Sequence, residues 1–221
     1  MSKRIIRDLM PAFAGLFIMF ASFGISKNPL AGVWRQKPQK LIKTDALSRP
    51  DQEPVIVTET KIGQREVNLN TPFEDDDDEW IRNLSFKLKN HSNKNVTYVG
   101  VNLFIPAETN STNPGMIQQF RFGQQPNSPN FTNSPILVRP HEVINVSIPA
   151  GKYRSIKQFI ETTQPRIRVD RVMVRVYVVF FDDGTKWDGG DFYLPDPTQR
   201  SGFRKIDPPP EIILRDPLLS H

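Results

Sequence analysis

Regular alternation of apolar and polar residues constrains the fold of this chain more than any other feature. In the run "RIRVDRVMVRVYVVFF", every second position is apolar, at Val172, Val174, Val176, Val178 and Phe180. Arg175 and Tyr177 point to the opposite side. A period of two residues is typical of a β-strand with one buried face. The run therefore predicts the longest strand of a sheet-based core.

Two more segments show the same period. In "WIRNLSFKLKN", Leu84, Phe86 and Leu88 alternate with polar residues. In "NVTYVGVNLFIP", the apolar face is formed by Val99, Val101, Leu103 and Ile105. Only the short polar link "HSNK" separates the two segments, and turn residues between two alternating runs favour a β-hairpin. We predict that these strands pair with each other.

The remaining pattern predicts a mainly β fold. Several shorter β-rich runs are separated by turn residues. One segment changes to a helical period, "KYRSIKQFIETT", and predicts a short helix near residues 152–163, ended by Pro165. This arrangement is typical of an antiparallel β-sandwich with Ig-like or Greek-key connections. A closed barrel is the alternative.

The acidic segment "VVFFDDGTKWDGGDFY" is interpreted first as a hairpin. Asp183 and Gly184 suit a two-residue turn, which places Phe180 opposite Trp187 in the core. Continuing that register would bury Asp191, and an unpaired buried carboxylate is costly. A bulge at Gly189 and Gly190 would restore the pattern by turning Phe192 inward and leaving Asp191 exposed.

Carboxylates in this segment also provide weak candidates for metal binding. Calcium needs six to eight oxygen ligands, and Asp182, Asp183 and Asp188 could supply several. Their spacing differs from that of an EF-hand loop, so we expect no specific metal site and no cofactor. The run "EDDDDE" at residues 74–79 is interpreted as a solvated loop that precedes a hydrophobic strand, with weak divalent-ion binding as the alternative.

Charge and hydropathy divide the chain into four parts. Basic residues precede an apolar run at residues 9–25, which predicts a signal peptide over residues 1–26 and an exported protein, whether periplasmic, cell-surface or secreted. Lysines and arginines follow the run, so an uncleaved membrane anchor through residues 9–25 is the alternative. The pattern further predicts a flexible tether at 27–53, a β-sandwich domain at 54–196 and a proline-rich tail at 197–221. No cysteine is present to staple the fold.

Few residues indicate chemistry. The net charge of +5 is scattered, which argues against nucleic acid as a partner. The three histidines lack zinc-site spacing, and the common nucleophile and phosphate-loop signatures are missing. We therefore expect a non-enzymatic protein with no catalytic residues. The alternative is a carbohydrate-active enzyme that uses paired carboxylates.

Two segments resemble a known group of proteins. "EWIRNLSFKLKNHSNKNVTYVGVNLFIP" and "FFDDGTKWDGGDFYLPDP" are similar to parts of uncharacterised bacterial proteins that are predicted to be exported. The shared patterns are "W…KN-S-K…F-P" and "F-DGT-W--G", and they extend over most of residues 80–196. The resemblance implies a β protein of the bacterial envelope and implies no activity. Its partner would be an envelope polymer or protein. Phe131 is a weak binding candidate, whereas Phe120 and Phe122 are expected in the core.

Overall fold

A computed structural model describes residues 37–44, 52–107, 115–126, 134–163 and 169–207. These residues form a β-sandwich of two sheets with one helix, which confirms the predicted mainly β class. The signal peptide predicted for residues 1–26 lies outside the described residues, as does the apolar run at 9–25. Within the described ranges, no helix is long and apolar enough to cross a bilayer.

In the described residues, twelve strands make up the two sheets. The large sheet contains β1 (Gln39–Thr44), β4 (Phe73–Glu74), β6 (Val96–Pro106), β7 (Gly115–Gly123), β9 (Arg171–Phe181), β10 (Lys186–Asp188), β11 (Asp191–Pro195) and β12 (Phe203–Lys205). The small sheet contains β2 (Val55–Ile62), β3 (Arg65–Glu66), β5 (Leu84–Asn90) and β8 (Val143–Ser147), in the order β3-β2-β5-β8. A 3₁₀ turn covers Trp80–Asn83, and helix α1 (Ala150–Thr163) confirms the predicted helix.

Strand β9 organises the large sheet. One of its edges pairs with β6, which pairs in turn with β7. Its other edge is shared, because β1 pairs with its first half and β10 with its second half. The pair β1–β9 is parallel, whereas the other strand pairs described are antiparallel. The predicted antiparallel sandwich is therefore correct except for this pair.

The core lies between the sheets. The inner faces that the sequence predicts for β5 and β6 are confirmed, since Leu84, Phe86, Leu88, Val99, Val101, Leu103 and Ile105 are all buried in one cluster. The predicted hairpin between β5 and β6 is wrong, because β5 belongs to the small sheet and β6 to the large one. The link between them therefore crosses from one sheet to the other.

A buried polar network holds this crossing. The side-chain amide of Asn90 donates to the carbonyls of Lys94 (2.8 Å) and Val138 (2.9 Å). Its oxygen accepts from the backbone N–H (3.0 Å) and the hydroxyl (2.7 Å) of Ser92. Asn90 and Ser92 are both fully buried, and buried polar groups persist only when they are hydrogen-bonded. The network thus satisfies backbone groups that a hairpin ladder would otherwise pair.

A bulge in β9 changes which side chains face the core. Gly100 pairs with Val178 and the next residue, Val101, pairs with Val176, so Tyr177 is the extra residue. A bulge of one residue reverses the alternation beyond it. The prediction that Val178 and Phe180 share the core face with the earlier valines is therefore wrong. They pack on the outer face with Tyr98 instead.

Gly100 makes room for this bulge. A Cβ at this position would lie 2.5 Å from Cζ of Tyr177 and 2.6 Å from Cγ1 of Val178. We expect Gly100→Ala to destabilise the protein by about 1–3 kcal/mol, the usual cost of overpacking. Gly151→Ala in α1 is the matched control, because a Cβ there meets nothing within 4 Å and alanine favours helix. Urea unfolding measures both, and an unchanged midpoint for Gly100→Ala would contradict the packing.

Two predicted boundaries are also wrong. The tether predicted for 27–53 contains β1, where Ile42 is fully buried and pairs with Val172. The proline-rich tail predicted for 197–221 contains β12, which pairs with β11, and the Ile206 N–H donates to the Phe192 carbonyl at 2.8 Å. The folded domain therefore includes residues on both sides of the predicted 54–196.

Candidate functional site

The acidic segment 178–193 forms two turns whose types differ from those predicted. The Gly184 N–H donates to the Phe181 carbonyl (3.1 Å), and the Phe181 N–H donates to the Thr185 carbonyl (2.9 Å). Gly184 has a φ of +81°. This is a three-residue loop that closes on a left-handed glycine, rather than the predicted two-residue turn. The pairing therefore shifts by one residue, and Lys186 rather than Trp187 lies opposite Phe180.

Gly189 and Gly190 form the second turn instead of the predicted bulge. Both have positive φ, at 60° and 104°, and Asp188 pairs with Asp191 across them. Trp187 lies opposite Phe192, and both side chains are buried on the core face as expected. The longer turn shifts the β9–β10 pairing by one residue, and the bulge in β9 shifts the buried face of β9 by one residue. Because these two shifts cancel, Trp187 still faces the core. Phe180 packs in the outer-face cluster, so the predicted contact between Phe180 and Trp187 is wrong.

The first turn meets the crossing between β5 and β6. Nζ of Lys94 lies 2.5 Å from Oδ2 of Asp183 and donates to the Thr185 hydroxyl at 3.3 Å. The Asn95 side-chain amide donates to Asp182 at 2.7 Å. The "KN-S-K" pattern lies in the link between β5 and β6, and the "F-DGT-W--G" pattern contains the turn between β9 and β10. These hydrogen bonds join the two segments. Their polar residues hold the two loops to each other.

The three weak metal candidates do not converge on one point. Asp182 accepts from Asn95 and Asp183 pairs with Lys94. Asp188 lies at the end of β10, beside the second turn, and pairs with Lys186 at 3.0 Å. In the part of the chain that the structure describes, no group of three or more histidine, aspartate or glutamate side chains is arranged to hold a metal ion.

The Lys94–Asp183 ion pair predicts an acid-sensitive contribution to stability. Burial tends to raise the pKa of Asp183, but hydrogen bonds from Lys94 and Thr185 outweigh it and hold that pKa below its usual 3.8. Because the pKa of Asp183 is lower in the folded state, its ionised carboxylate stabilises the protein above pH 3.8. This stabilisation is lost as the pH falls from 3.8 through the lower folded-state pKa. We expect Asp183→Asn to cost about 0.2–1 kcal/mol at pH 7, as exposed ion pairs do, and to cost less at pH 2. Urea midpoints at both pH values test this, and an equal cost would contradict it.

Calcium provides a separate test of the turn. A specific site at 100 times its dissociation constant would stabilise the protein by about 2.7 kcal/mol. We expect melting curves in chelator and in millimolar calcium to coincide, because the Asp183 carboxylate is already paired with Lys94. An upward shift that Asp183→Ala removes, and that neutralising residues 75–78 leaves intact, would establish a calcium site here.

The acidic run at residues 74–79 is a centre of ion pairs. Its carboxylates pair with cations of four other segments. The pairs are Asp75 with Arg65 on β3, Asp76 with Lys37 before β1, Asp78 with Lys40 on β1, and Glu79 with Lys157 on α1. Lys40 is fully buried, and its Nζ also pairs with Asp170 at 3.0 Å. The run therefore connects separate elements of the fold through its charges.

An open cleft lies where the two sheets end on the same side of the sandwich. Its volume is about 640 Å³, and it runs along β7, one of the edge strands of the large sheet. Six consecutive β7 residues, 117–122, line one wall. The opposite wall is formed by Ser147 at the end of β8, which is the edge strand of the small sheet, and by Pro149 and Lys152 at the start of α1.

The cleft combines an apolar floor with polar and cationic rims. Phe120 is buried, as expected, and Phe122 is half-buried against the core. Ile117 is 58% exposed, and Arg121 and Lys152 supply positive charge. The Gln118 side-chain amide donates to the Gln119 carbonyl at 3.2 Å, and the Gln119 side-chain oxygen accepts from Arg121 at 2.7 Å. The lining that the structure describes contains no carboxylate.

Sequence reasoning found a strand in this cleft but missed the cleft itself. The run "MIQQFRFG" is a recognisable short strand, but nothing local indicates that it ends its sheet or that β8 ends beside it. The binding candidate Phe131 lies outside the described residues. The alternation of Gln119 and Arg121 with Phe120 and Phe122 indicates a strand with one buried face, and it does not indicate a cleft.

Comparison with known proteins gives this chain no relative. No family model matches its sequence, and searches of curated proteins and of solved structures found no match.

Proposed function

We propose that the protein is an exported, non-enzymatic module of the cell envelope that binds a polymer or another protein in the cleft between β7 and β8. The observation that carries the proposal is the cleft itself, about 640 Å³ in volume and open along the β7 edge. Binding sites are concave and mostly apolar, with a few polar groups that fix orientation. An apolar floor with amide and cationic rims has this composition.

The chemistry of the lining favours binding over glycan hydrolysis. A glycosidase needs two carboxyl groups on opposite sides of the scissile bond. The described lining of the cleft offers two cations and no carboxylate. The carboxylates of the acidic turn are engaged with Lys94, Asn95 and Lys186. These contacts favour the non-enzymatic role over the alternative of a carbohydrate-active enzyme.

Affinity capture from an envelope fraction of the native host tests the proposal. Wild-type protein is compared with the double variant Arg121→Glu, Lys152→Glu, which reverses the charge of the cleft. A matched control, Arg200→Glu, makes the same change at an exposed turn outside the cleft. Protease and periodate treatment of the fraction distinguish a protein partner from a glycan.

We expect wild type and Arg200→Glu to retain the same partner and the cleft variant to lose it. Circular dichroism melts establish that all three proteins are folded. A partner that the folded cleft variant retains at full strength would refute the cleft as the binding site.

A further inference from the structure

The edge of β8 offers backbone hydrogen-bonding groups to a partner. The small sheet has two edge strands, and β8 has five residues whereas β3 has two. Asn90 donates its N–H to the Glu142 carbonyl, where the β5–β8 ladder begins. Successive residues of a strand direct their N–H and C=O groups to opposite sides, so the backbone groups of Ile144 and Val146 also point to β5.

The backbone groups of Val143, Asn145 and Ser147 therefore point away from β5. Within the described ranges, no group of the chain donates to these backbone atoms or accepts from them. At about 3.4 Å per residue, the five residues of β8 present this row over about 17 Å. A row of donors and acceptors that repeats every second residue matches the backbone of another extended chain.

Strand β8 has none of the features that usually protect a sheet edge. Natural edges are blunted by lysine, proline, inward charges or bulges. The sequence of β8, "VINVS", contains no charged residue and no proline. Its pairing with β5 continues from Ser85 to Lys89 without a register shift. The strand is therefore regular and uncharged along its open edge.

The open edge of β8 adjoins the cleft. Ser147 lines the cleft, and Phe120 and Phe122 form its apolar floor. Val146 is buried and Ile144 is half-buried against the core, so these two residues mark the core face of β8. A strand added to β8 continues that face, and every second side chain of the added strand points toward the cleft.

Resting on the proposed binding function, we infer that the ligand of the cleft is an extended segment of another protein, which adds to β8 as a fifth strand of the small sheet. Backbone hydrogen bonds to Val143, Asn145 and Ser147 supply affinity, as in other cases of strand addition to a sheet edge. Apolar side chains at alternate positions of the segment fill the cleft over Phe120 and Phe122.

A second copy of the chain fits the edge but not the cleft. If β8 pairs with β8 of a second copy, the Ile144 and Val146 side chains of that copy are already packed in their own core. They leave the cleft open, whereas an extended segment brings apolar side chains that are not yet packed. A glycan fits the edge poorly, because its hydroxyl groups lack the regular donor and acceptor repeat of a backbone.

Proline at position 145 tests the edge without breaking the sheet. The N–H of Asn145 points away from β5, and an edge strand tolerates proline where the missing N–H would face solvent. Asn145→Pro therefore removes one outward donor and leaves the β5–β8 ladder intact. Asn145→Ala is the matched control, because it removes the same side chain and keeps the N–H. Melting curves establish that both variants are folded.

A phage-displayed library of random nine-residue peptides selects ligands for the full chain. We expect the selected peptides to carry apolar residues at every second position. Fluorescence anisotropy should show equal binding to wild type and Asn145→Ala, and binding at least tenfold weaker to Asn145→Pro. Methylation of every second backbone amide of a selected peptide should weaken binding at least tenfold in one register and much less in the other, because only one set of amides faces β8.

Other results overturn the inference. Peptides that bind Asn145→Pro as tightly as wild type would exclude the β8 edge, and selected sequences without alternation would exclude an added strand. A dimer, seen by sedimentation, that Asn145→Pro dissociates would assign the edge to a second copy. If no peptide is selected while envelope capture still depends on the cleft, the polypeptide assignment fails and the proposed function stands.

Discussion

The variant Ile42→Asp is expected not to reach the native fold. Ile42 is fully buried in β1 and pairs with Val172 in the parallel ladder of β9. The substitution removes a core side chain, at about 2–5 kcal/mol, and also buries a carboxylate without a partner, at several kcal/mol more. The sum is comparable with the total stability of a domain, about 5–15 kcal/mol. Near-ultraviolet circular dichroism and protease resistance measure the loss.

Leu137→Asp is the control for this variant. Leu137 is 53% exposed, so the same kind of change buries little charge there and is expected to leave the melt nearly unchanged. If Ile42→Asp melts like wild type, β1 is not part of the core and residues 39–44 act as the tether that the sequence predicts.

The two buried tryptophans should respond differently to the same substitution. Trp80 and Trp187 are both fully buried, and alanine at either is expected to cost about 3–5 kcal/mol. The Trp80 indole N–H donates to the Val169 carbonyl at 2.6 Å, whereas that of Trp187 has no hydrogen-bond partner among the described residues. Phenylalanine at Trp80 leaves a buried carbonyl unpaired, so it should cost about 1–3 kcal/mol more than phenylalanine at Trp187.

Equilibrium unfolding in urea, followed by circular dichroism, compares the two phenylalanine variants. Equal losses would show that the Trp80–Val169 hydrogen bond contributes nothing net. A larger loss at Trp187 would show that its indole N–H is paired.

The sequence predicts where the strands of this fold lie better than it predicts which strands pair with each other. Alternation at Leu84, Phe86 and Leu88 reports which face is buried, and the structure confirms it. Pairing depends on where the link between two strands goes, which a period cannot show. The buried contacts of Asn90 and Ser92 direct that link to the other sheet, although "HSNK" has the composition of an ordinary turn.

Strand β1 was missed because its pattern is too short and too polar. Only Lys40 and Ile42 face inward, and a lysine at an inward position resembles a surface residue. The whole Lys40 side chain is buried, and its ammonium group is paired with Asp170, because a buried charge needs an opposite charge beside it. A contact across 130 residues cannot be inferred from local composition.

The turns show why register is difficult to predict. Aspartate followed by glycine suits both a two-residue and a three-residue hairpin loop. The bulge at Tyr177 depends on Gly100 in a different strand, where the missing Cβ leaves space for the ring. The candidate site could not be predicted for the same reason, because it arises where edges of two sheets meet.

The central claim is that the acidic turn stabilises the fold while the β7 cleft binds the partner. The most direct test is the affinity of the captured partner for wild type, Arg121→Glu and Asp183→Asn. The account predicts at least a tenfold loss for Arg121→Glu, with its melting temperature unchanged, and wild-type affinity for Asp183→Asn. A loss of binding in a fully folded Asp183→Asn protein, with Arg121→Glu binding normally, would contradict it.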